Sequence, residues 1–278
     1  MHSALYKNDM KGTSAEKAVR IRVHYASHKG LVREKNEDSM RIGDTVITDG
    51  QADSVTTGEI KLLSGNWLAI ADGLGGHGSG EIASAVAVQA LGQPSNRLYD
   101  QAGIRGVPGF VMNQLRRRAA AGDVSRSMGT TLSALCFTET ALFLVHVGDS
   151  RIYSLPDFRR LTRDDTQVQA LIEKGEIPEQ MRNRHPLKNR LTRSLVADGN
   201  TPATLVKKIP AQYATEFSFL LCSDGLWENF ADDEMREHLQ RMNENGQSLA
   251  DFAGWLLSTA LERGGSDNIS LIITEPVL

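Results

Sequence analysis

Two apolar runs in this chain each end in an Asp-Gly pair, and this arrangement restricts the fold more than any other feature. The runs are LAIAD, ending at Asp72, and FLLCSD, ending at Asp224. Uninterrupted apolar runs of this length are typical of strands buried on both faces. An aspartate at the end of such a strand lies at the rim of the core, where its charge is costly unless a cation pairs with it. No Lys or Arg adjoins either aspartate, so the positive charge has to come from elsewhere.

Further carboxylates occur where predicted strands meet loops. They are Glu37, Asp38, Asp149 and Asp267. Taken singly, each such aspartate would be interpreted as a turn former. Their joint occurrence, without a cluster of Cys or His, instead indicates a site of hard oxygen ligands, which suits Mg²⁺ or Mn²⁺ rather than zinc.

The order of predicted elements favours antiparallel sheets covered by helices, an α+β fold, over a repeated βαβ unit. Strands are predicted at 21–27, 66–72, 204–209, 217–224 and 268–274, with a strand-rich stretch at 130–155. Helices are predicted at 81–92, 109–121, 231–243 and 247–263. Hairpin turns are expected at Thr138–Thr140 and Gly148–Asp149, one hairpin within 43–66, and a loop through Gly103, Gly106 and Pro108.

The domain organisation predicted from the sequence is simple. The 278 residues contain no internal repeat and no recognisable linker. Residues 1–20 are polar and patternless and predict a flexible N-terminal arm. Residues 21–278 are predicted to form a single domain. The polar, Arg-rich stretch 163–200 is predicted to lie on the surface, outside the sheets.

Charge and hydropathy exclude several classes of partner. The chain has 31 Lys and Arg against 34 Asp and Glu, a net charge of −3. This balance predicts no nucleic-acid or anionic-membrane partner. No apolar run approaches the ~20 residues of a membrane span, and the N-terminus lacks the apolar core of a signal peptide. We therefore expect a cytoplasmic protein.

A competing interpretation rests on Gly73–Gly78, which matches the GxGxxG pattern of dinucleotide-binding folds. It follows a predicted strand and precedes a predicted helix, as that pattern requires. However, the acidic residue expected about 20 residues later at the end of a second strand is missing. In addition, Asp72 precedes the first glycine and would repel a pyrophosphate.

Eight collinear motifs resemble those of the metal-dependent serine/threonine protein phosphatases of type 2C (PPM), particularly the compact bacterial members. The first is SHKGLVREKNED (27–38), and the second is ADGLGGHGSGE (71–81). The others are MGTTL (128–132), VGDSRIY (147–153), LTRDDT (161–166), HPLKNRLTRSL (185–195), CSDGLWE (222–228) and GGSDNIS (264–270). The resemblance covers about residues 22–274.

The resemblance implies an α-β-β-α sandwich, in which two antiparallel sheets are flanked by helices, and a centre of two Mg²⁺ or Mn²⁺ ions with a third, weaker ion. Asp72 would bridge the two ions, and the Gly73 carbonyl would bind one of them. Glu37, Asp38, Asp224 and Asp267 would be further ligands, Asp149 would bind the third ion, and Arg33 would hold the substrate phosphate. The stretch 163–200 would be the flap of bacterial members.

The implied activity is hydrolysis of phosphoserine and phosphothreonine in proteins by direct attack of a metal-bridging hydroxide. The implied partners are a bacterial Ser/Thr kinase or its substrates, and the expected state is a monomer. A catalytically inactive relative that binds phosphoproteins is the alternative, but every matched acidic position and Arg33 is retained.

Three positions depart from the family pattern. Leu74 stands where eukaryotic members carry a His that is a candidate general acid, and His77 lies nearby. Asp165 stands where many members have His, and Glu228 where some have an Asp ligand of the third ion. These differences leave the general acid and the flap contacts open.

Overall fold

The computed structural model describes residues 20–48, 52–61, 65–75, 79–93, 101–122, 124–138, 141–210 and 218–277. Within them, two antiparallel sheets pack face to face and helices cover both outer surfaces. This is the α-β-β-α sandwich expected from the sequence. The N-terminal arm expected at 1–20 lies, apart from Arg20, outside the described residues.

The first sheet has six strands among the described residues, in the order β10-β9-β13-β14-β1-β4. Its strands are β1 (Arg20–His28), β4 (Ala52–Lys61), β9 (Arg151–Ser154), β10 (Arg159–Arg160), β13 (Phe219–Cys222) and β14 (Ile269–Pro276). β1 pairs along its length with β14, from Ile21 opposite Pro276 to His28 opposite Ile269. The beginning and end of the described chain are thus neighbours in one sheet.

The second sheet has eight described strands, with the main order β11-β6-β5-β7-β8-β12 and β2 joining β3 to β5. Its strands are β2 (Asp38–Ile42), β3 (Thr45–Thr48), β5 (Asn66–Leu74), β6 (Gly129–Thr130), β7 (Leu132–Phe137), β8 (Ala141–Val147), β11 (Leu195–Val196) and β12 (Leu205–Pro210). The described pairings are antiparallel throughout, which excludes the parallel dinucleotide-binding fold.

Helices form the two outer layers. They are α1 (Gly80–Ala90), α2 (Gln101–Ala120), α3 (Gln167–Glu173), α4 (Asp224–Trp227), α5 (Asp232–Glu244) and α6 (Leu249–Glu262), with a 3₁₀ turn at Glu179–Arg184. α1 and α2 pack on the eight-stranded sheet, and α5 and α6 pack on the six-stranded sheet. None of the helices in the described part of the chain combines the length and apolarity needed to cross a membrane.

β5 shows how the sequence produces the layers. Successive side chains of a strand point to opposite faces. Leu68 and Ile70 accordingly lie in the core between the sheets, while Trp67 and Ala69 lie in the layer against α1 and α2. Both faces of this strand are therefore buried, and Asp72 lies two residues before its end at Leu74.

The helix predicted at 109–121 is longer than expected, because it begins at Gln101 and includes Pro108. The expected loop through Gly103, Gly106 and Pro108 is wrong. Proline in a helix removes one hydrogen bond and disfavours the preceding turn. The stripe of buried side chains that offsets this cost is Ile104, Val107, Val111, Met112 and Leu115.

Two expected hairpins are also wrong. β8 and β9 belong to different sheets, so Gly148–Asp149 carries the chain from one sheet to the other. Likewise β3 pairs with β2, whereas β4 pairs with β1 in the opposite sheet. A turn sequence specifies a change of direction, but it does not specify which strand becomes the partner.

The flap segment (163–200) is attached to the sandwich by a buried ion-pair network around Asp164. Arg151 Nη2 on β9 donates to Asp164 Oδ2 at 2.7 Å, and Arg182 Nη1 in the flap segment donates to the same oxygen at 2.9 Å. Burial alone would raise the pKa of Asp164, but the guanidiniums of Arg151, Arg160 and Arg182 lower it overall. The Asp164 side chain is fully buried.

We expect Asp164→Ala to lower the free energy of unfolding by up to roughly 3–5 kcal/mol. It removes the fully buried carboxylate shared by Arg151 and Arg182 and leaves them only the more exposed Asp232 and Glu179 as counter-charges. Urea unfolding measures the loss. The matched control is Asp157→Ala, which removes an exposed pair with Arg159 and should cost less than about 1 kcal/mol. Equal, small losses in the two variants would show that the network does not stabilise the fold.

Candidate metal centre

Three aspartates of the candidate site come from neighbouring strands of the six-stranded sheet. Cys222 on β13 pairs with Leu271 on β14 and with Arg151 on β9. Asp149 precedes β9, Asp224 follows β13 and Asp267 precedes β14, each by two residues. Because adjacent strands run antiparallel, these three positions meet at the same edge of the sheet.

The other sheet contributes Asp72 and Asp38, which are directly opposite one another in the β2–β5 ladder. The backbone of Asp72 is held by two threonines. Asp72 N donates to Thr131 Oγ1 at 3.0 Å, and Thr130 Oγ1 donates to the Asp72 carbonyl at 2.9 Å. The MGTTL motif thus orients Asp72, a role that its sequence did not indicate.

The two sets of carboxylates meet where the sheets come together. Asp72, Asp149 and Asp224 each offer an oxygen, and these oxygens lie within 4.8 Å of one another. Glu37, Asp38 and Asp267 lie around this group without joining its tightest part. Glu37, Asp149 and Asp267 come from loops between strands, and Asp224 begins the short helix α4. Only the packed sandwich brings all the predicted ligands together.

The electrostatics of the cluster are unfavourable without a cation. Burial, followed by the charge of Asp224, raises the pKa of Asp72 well above its usual value. Burial, followed by Asp149 and Asp267, does the same to the pKa of Asp224. Burial raises the pKa of Asp38 and of Asp149 to about 7 each. Each carboxylate therefore resists ionisation because of its neighbours and its lack of water.

Two glycines allow the strand ends to approach so closely. A Cβ at Gly73 would lie 2.1 Å from the Gly80 carbonyl oxygen and 2.7 Å from that of Glu37. A Cβ at Gly225 would lie 2.1 Å from the Asn268 carbonyl oxygen. The glycine that follows each strand-end aspartate is thus required by packing, not merely by a turn.

The residues present fit a binuclear centre of hard divalent cations. The group consists of carboxylate oxygens, and neither Cys nor His belongs to it. Both carboxylate oxygens of Asp38 are buried and lack a hydrogen-bond partner of ordinary geometry. Buried polar atoms are rarely left unpaired, so an oxygen-seeking ion accounts for Asp38 better than a purely structural role does.

Arg33 lies in the loop between β1 and β2 and reaches the edge of the cluster. Its Nη2 donates to Asp267 Oδ2 at 2.7 Å, and about half of its side chain remains exposed. The guanidinium can therefore meet a ligand arriving from solvent while its other side is held by the carboxylate. A planar guanidinium suits two oxygens of a phosphate.

Asn268 positions this loop, and sequence reasoning assigned it no role of its own. Its Nδ2 donates to the carbonyls of Lys29 and Lys35 at 2.9 and 2.8 Å. Its Oδ1 accepts from the backbone N–H of Glu37 at 2.8 Å. One amide next to Asp267 thus ties the Arg33 loop and Glu37 to the end of β14. The DN pair before a strand is the only sequence signal for this function.

The positions that depart from the family pattern have other contacts. Glu228 accepts from Lys188 Nζ of the flap segment. Asp165 Oδ1 accepts from Arg193 Nη1 at 3.0 Å, and its Oδ2 accepts from Gly148 N at 3.2 Å. These two acids join the flap segment to the sandwich. Leu74 ends β5, and His77 lies outside the described residues.

Comparison with known proteins identifies the family. Residues 42–256, well over half of the chain, match the family model for protein phosphatase 2C. The chain belongs to the protein phosphatase 2C family. This membership explains why the carboxylates follow one another in the observed order along the chain.

The relatives of this 2C-family protein include bacterial enzymes. It is 32% identical over 270 residues to the serine/threonine protein phosphatase PstP of Mycobacterium tuberculosis, covering 92% of this chain and 45% of PstP. The chain thus spans less than half the length of that relative. It is 32% identical over 215 residues to the serine/threonine phosphatase Stp of Listeria monocytogenes, covering 74% of this chain and 82% of Stp.

Solved structures agree with the fold. A crystal structure of the M. tuberculosis phosphatase PstP superimposes with a TM-score of 0.72 at 30% identity, covering 92% of this chain and 99% of that one. A second structure, of the PstP catalytic domain in complex with two manganese ions, gives a TM-score of 0.68 at 30% identity, with 93% and 100% coverage.

We expect Asp224→Asn to raise the melting temperature of the metal-free protein, because it removes one charge from a cluster of buried carboxylates. A gain of about 1–2 kcal/mol, which corresponds to roughly 2–8 °C for a domain of this size, is the expected range in EDTA. The same variant should lose most of the stabilisation that Mn²⁺ gives the unaltered protein. Differential scanning fluorimetry measures both effects.

The matched control is Asp53→Asn, an exposed acid on β4. It should leave both the melting temperature in EDTA and the Mn²⁺ response unchanged. A drop in stability for Asp224→Asn in EDTA would mean that Asp224 is satisfied by the protein alone.

Proposed function

We propose that this protein is a metal-dependent protein serine/threonine phosphatase. The observation that carries the proposal is the convergence of Asp72, Asp149 and Asp224 at the joined edge of two sheets, with Arg33 at its rim. In a 2C-family chain, this arrangement suits two cations beside a phosphate. The names of PstP and Stp, and the two manganese ions in the PstP catalytic domain, support the same reading.

The proposed centre holds two Mg²⁺ or Mn²⁺ ions. The residues that would hold them are Asp72, the Gly73 carbonyl, Glu37, Asp38, Asp224 and Asp267. Asp149 would serve a third, weaker ion, while Glu228 pairs with Lys188 of the flap segment. When bound, the ions would neutralise the charge of a phosphomonoester and lower the pKa of a coordinated water.

The residues of the chain have separate tasks in this proposal. The carboxylates are held in place by the threonine hydroxyls, Asn268 and the strand ladders, so little reorganisation is needed when ions bind. Arg33 binds and orients the phosphate through its exposed N–H groups. Asp267, which pairs with Arg33, keeps the guanidinium at the rim and prevents it from turning into solvent.

The substrate class proposed is phosphoserine and phosphothreonine in proteins, and the partners are a bacterial Ser/Thr kinase or the targets of such a kinase. We further propose that residues 21–278 act as one domain, which is supported by the pairing of β1 with β14. The monomeric state and the cytoplasmic location expected from the sequence stay predictions.

The purified protein should hydrolyse p-nitrophenyl phosphate when Mn²⁺ or Mg²⁺ is added and lose this activity in EDTA. Asp72→Ala and Asp224→Ala should each reduce turnover by roughly 100-fold or more, because each would weaken the binding of an ion that stabilises charge in the transition state. The release of p-nitrophenolate measures the rate. Asp53→Ala is the control. A folded protein that binds Mn²⁺ yet hydrolyses nothing would instead favour a phosphoprotein-binding module.

Arg33→Ala should raise KM for a phosphopeptide more than it lowers kcat, because Arg33 binds the phosphate in both the ground state and the transition state. A charge-assisted pair of hydrogen bonds of about 1.5–3 kcal/mol corresponds to roughly a 10- to 100-fold increase in KM. Initial rates at saturating Mn²⁺ separate the two constants. Arg159→Ala, a change at an exposed arginine on β10, is the control. A loss confined to kcat would place the Arg33 contact in the transition state alone.

A further inference from the structure

The described part of the chain exposes only four large apolar side chains. They are Leu31 (65% exposed), Val32 (68%), Met181 (42%) and Leu205 (38%). Leu31 and Val32 are the two most exposed, and they are consecutive. Single exposed apolar residues are common on proteins, but these two directly precede Arg33. We call Leu31 and Val32 together the apolar tip.

The loop that carries the apolar tip is fixed, not loose. The Asn268 amide holds the carbonyls of Lys29 and Lys35 on either side of it. Leu31 N donates to the Gly265 carbonyl at 2.7 Å, and Gly30 N donates to His28 Nδ1 at 2.9 Å. Three of these hydrogen bonds hold residues 29–35 against the segment that contains Asp267, and the fourth holds the start of the loop to the end of β1. A surface that is already rigid loses little conformational entropy when it binds.

The apolar tip lies at the rim of the metal centre. Arg33 follows Val32 in the chain, and its guanidinium bonds to Asp267. Consecutive Cα atoms are about 3.8 Å apart, so the Cα of Val32 lies about that far from the Cα of Arg33, the residue proposed to hold the phosphate. Leu31 rests at its base near Gly265, while most of its surface faces solvent. These apolar groups contribute little to the core of the fold.

We propose that the apolar tip is a specificity surface that binds an apolar side chain adjoining the phosphoserine or phosphothreonine of the substrate. The inference rests on the proposed function of the same site. A phosphate bound by Arg33 fixes the position of the phosphoserine or phosphothreonine that carries it. An extended substrate chain then advances about 3.3–3.6 Å per residue from that point. On this proposal, the next residue on one side of the phosphoresidue lies over Leu31 and Val32. An apolar side chain there removes apolar surface from water on both partners.

The test compares two acetylated heptapeptides with a central phosphothreonine. One has leucine on both sides of the phosphothreonine and the other has serine, with alanine elsewhere. The unaltered, Mn²⁺-loaded protein should favour the leucine peptide by roughly three- to tenfold in kcat/KM, mainly through KM, as expected for partial burial of one side chain. Leu31→Ser combined with Val32→Ser should bring this ratio close to one.

The matched control is Leu205→Ser, which removes an exposed leucine from the edge strand β12, three strands away from β5. It should keep the preference for the leucine peptide. Since all three altered side chains are exposed, melting temperatures should remain within a few degrees of the unaltered protein, which separates a docking effect from unfolding.

Three outcomes would overturn the inference. The first is an equal rate with both peptides in the unaltered protein while p-nitrophenyl phosphate is hydrolysed. The second is a preference that survives in the double variant. The third is a dimer that dissociates in the double variant during size-exclusion chromatography, which would assign the apolar tip to a second copy of this chain.

A binding measurement distinguishes failure of the inference from failure of the proposed function. Fluorescence anisotropy with labelled forms of the two peptides reads the preference without turnover. Tighter binding of the leucine peptide, lost in the double variant, would support the apolar tip even if no phosphate were released. Absence of hydrolysis together with absence of any difference in binding would reject both proposals.

Discussion

The mutual repulsion of carboxylates is the constraint on which the rest of this structure depends. Two sheets, each stable through its own apolar faces, deliver Asp38 and Asp72 from one side and Asp149, Asp224 and Asp267 from the other. Without cations, burial and neighbouring charge both raise the pKa values of Asp38, Asp72, Asp149 and Asp224. The fold tolerates the electrostatic cost of this cluster because about sixty buried apolar side chains stabilise the sandwich elsewhere. A site suited to metal ions can therefore lower the stability of the metal-free protein without unfolding it.

The flap segment is connected to this centre through a continuous set of contacts. Arg182 in the flap segment binds Asp164, and Asp164 binds Arg151. The Arg151 guanidinium lies 3.4 Å from the centre of the Trp227 ring, and the Trp227 indole N–H donates to the Asp149 carbonyl at 2.9 Å. The same buried side chains, Arg151 and Trp227, therefore contact both the flap segment and the backbone of the predicted ligand Asp149. Cationic and anionic side chains pair with one another in this network, in contrast to the one-sided charge of the metal centre.

Sequence reasoning predicted correctly those elements whose local pattern of apolar residues is typical of only one kind of secondary structure. Apolar runs that end in Asp-Gly predicted β5 and β13, and alternating and apolar patterns predicted β1, β14 and the two C-terminal helices. It failed where contacts with residues distant in the sequence decide the secondary structure or the strand pairing. Pro108 favoured a loop, but a buried stripe on α2 outweighs its cost. Gly148–Asp149 indicated a hairpin, yet the chain crosses between the sheets there, because pairing is set by which strand buries its face and not by the turn.

The sequence by itself determined the chemistry of the centre: oxygen donors, no soft ligands, and an arginine nearby. It did so because carboxylates at the ends of apolar strands have few alternatives to a cation. Only the tertiary structure decided which atoms meet, through the β2–β5 ladder, the close approach at Gly225 and the clamp of Asn268. The Asn268 contact with Glu37 joins residues 231 positions apart in the chain, and no local pattern encodes such a distance in space.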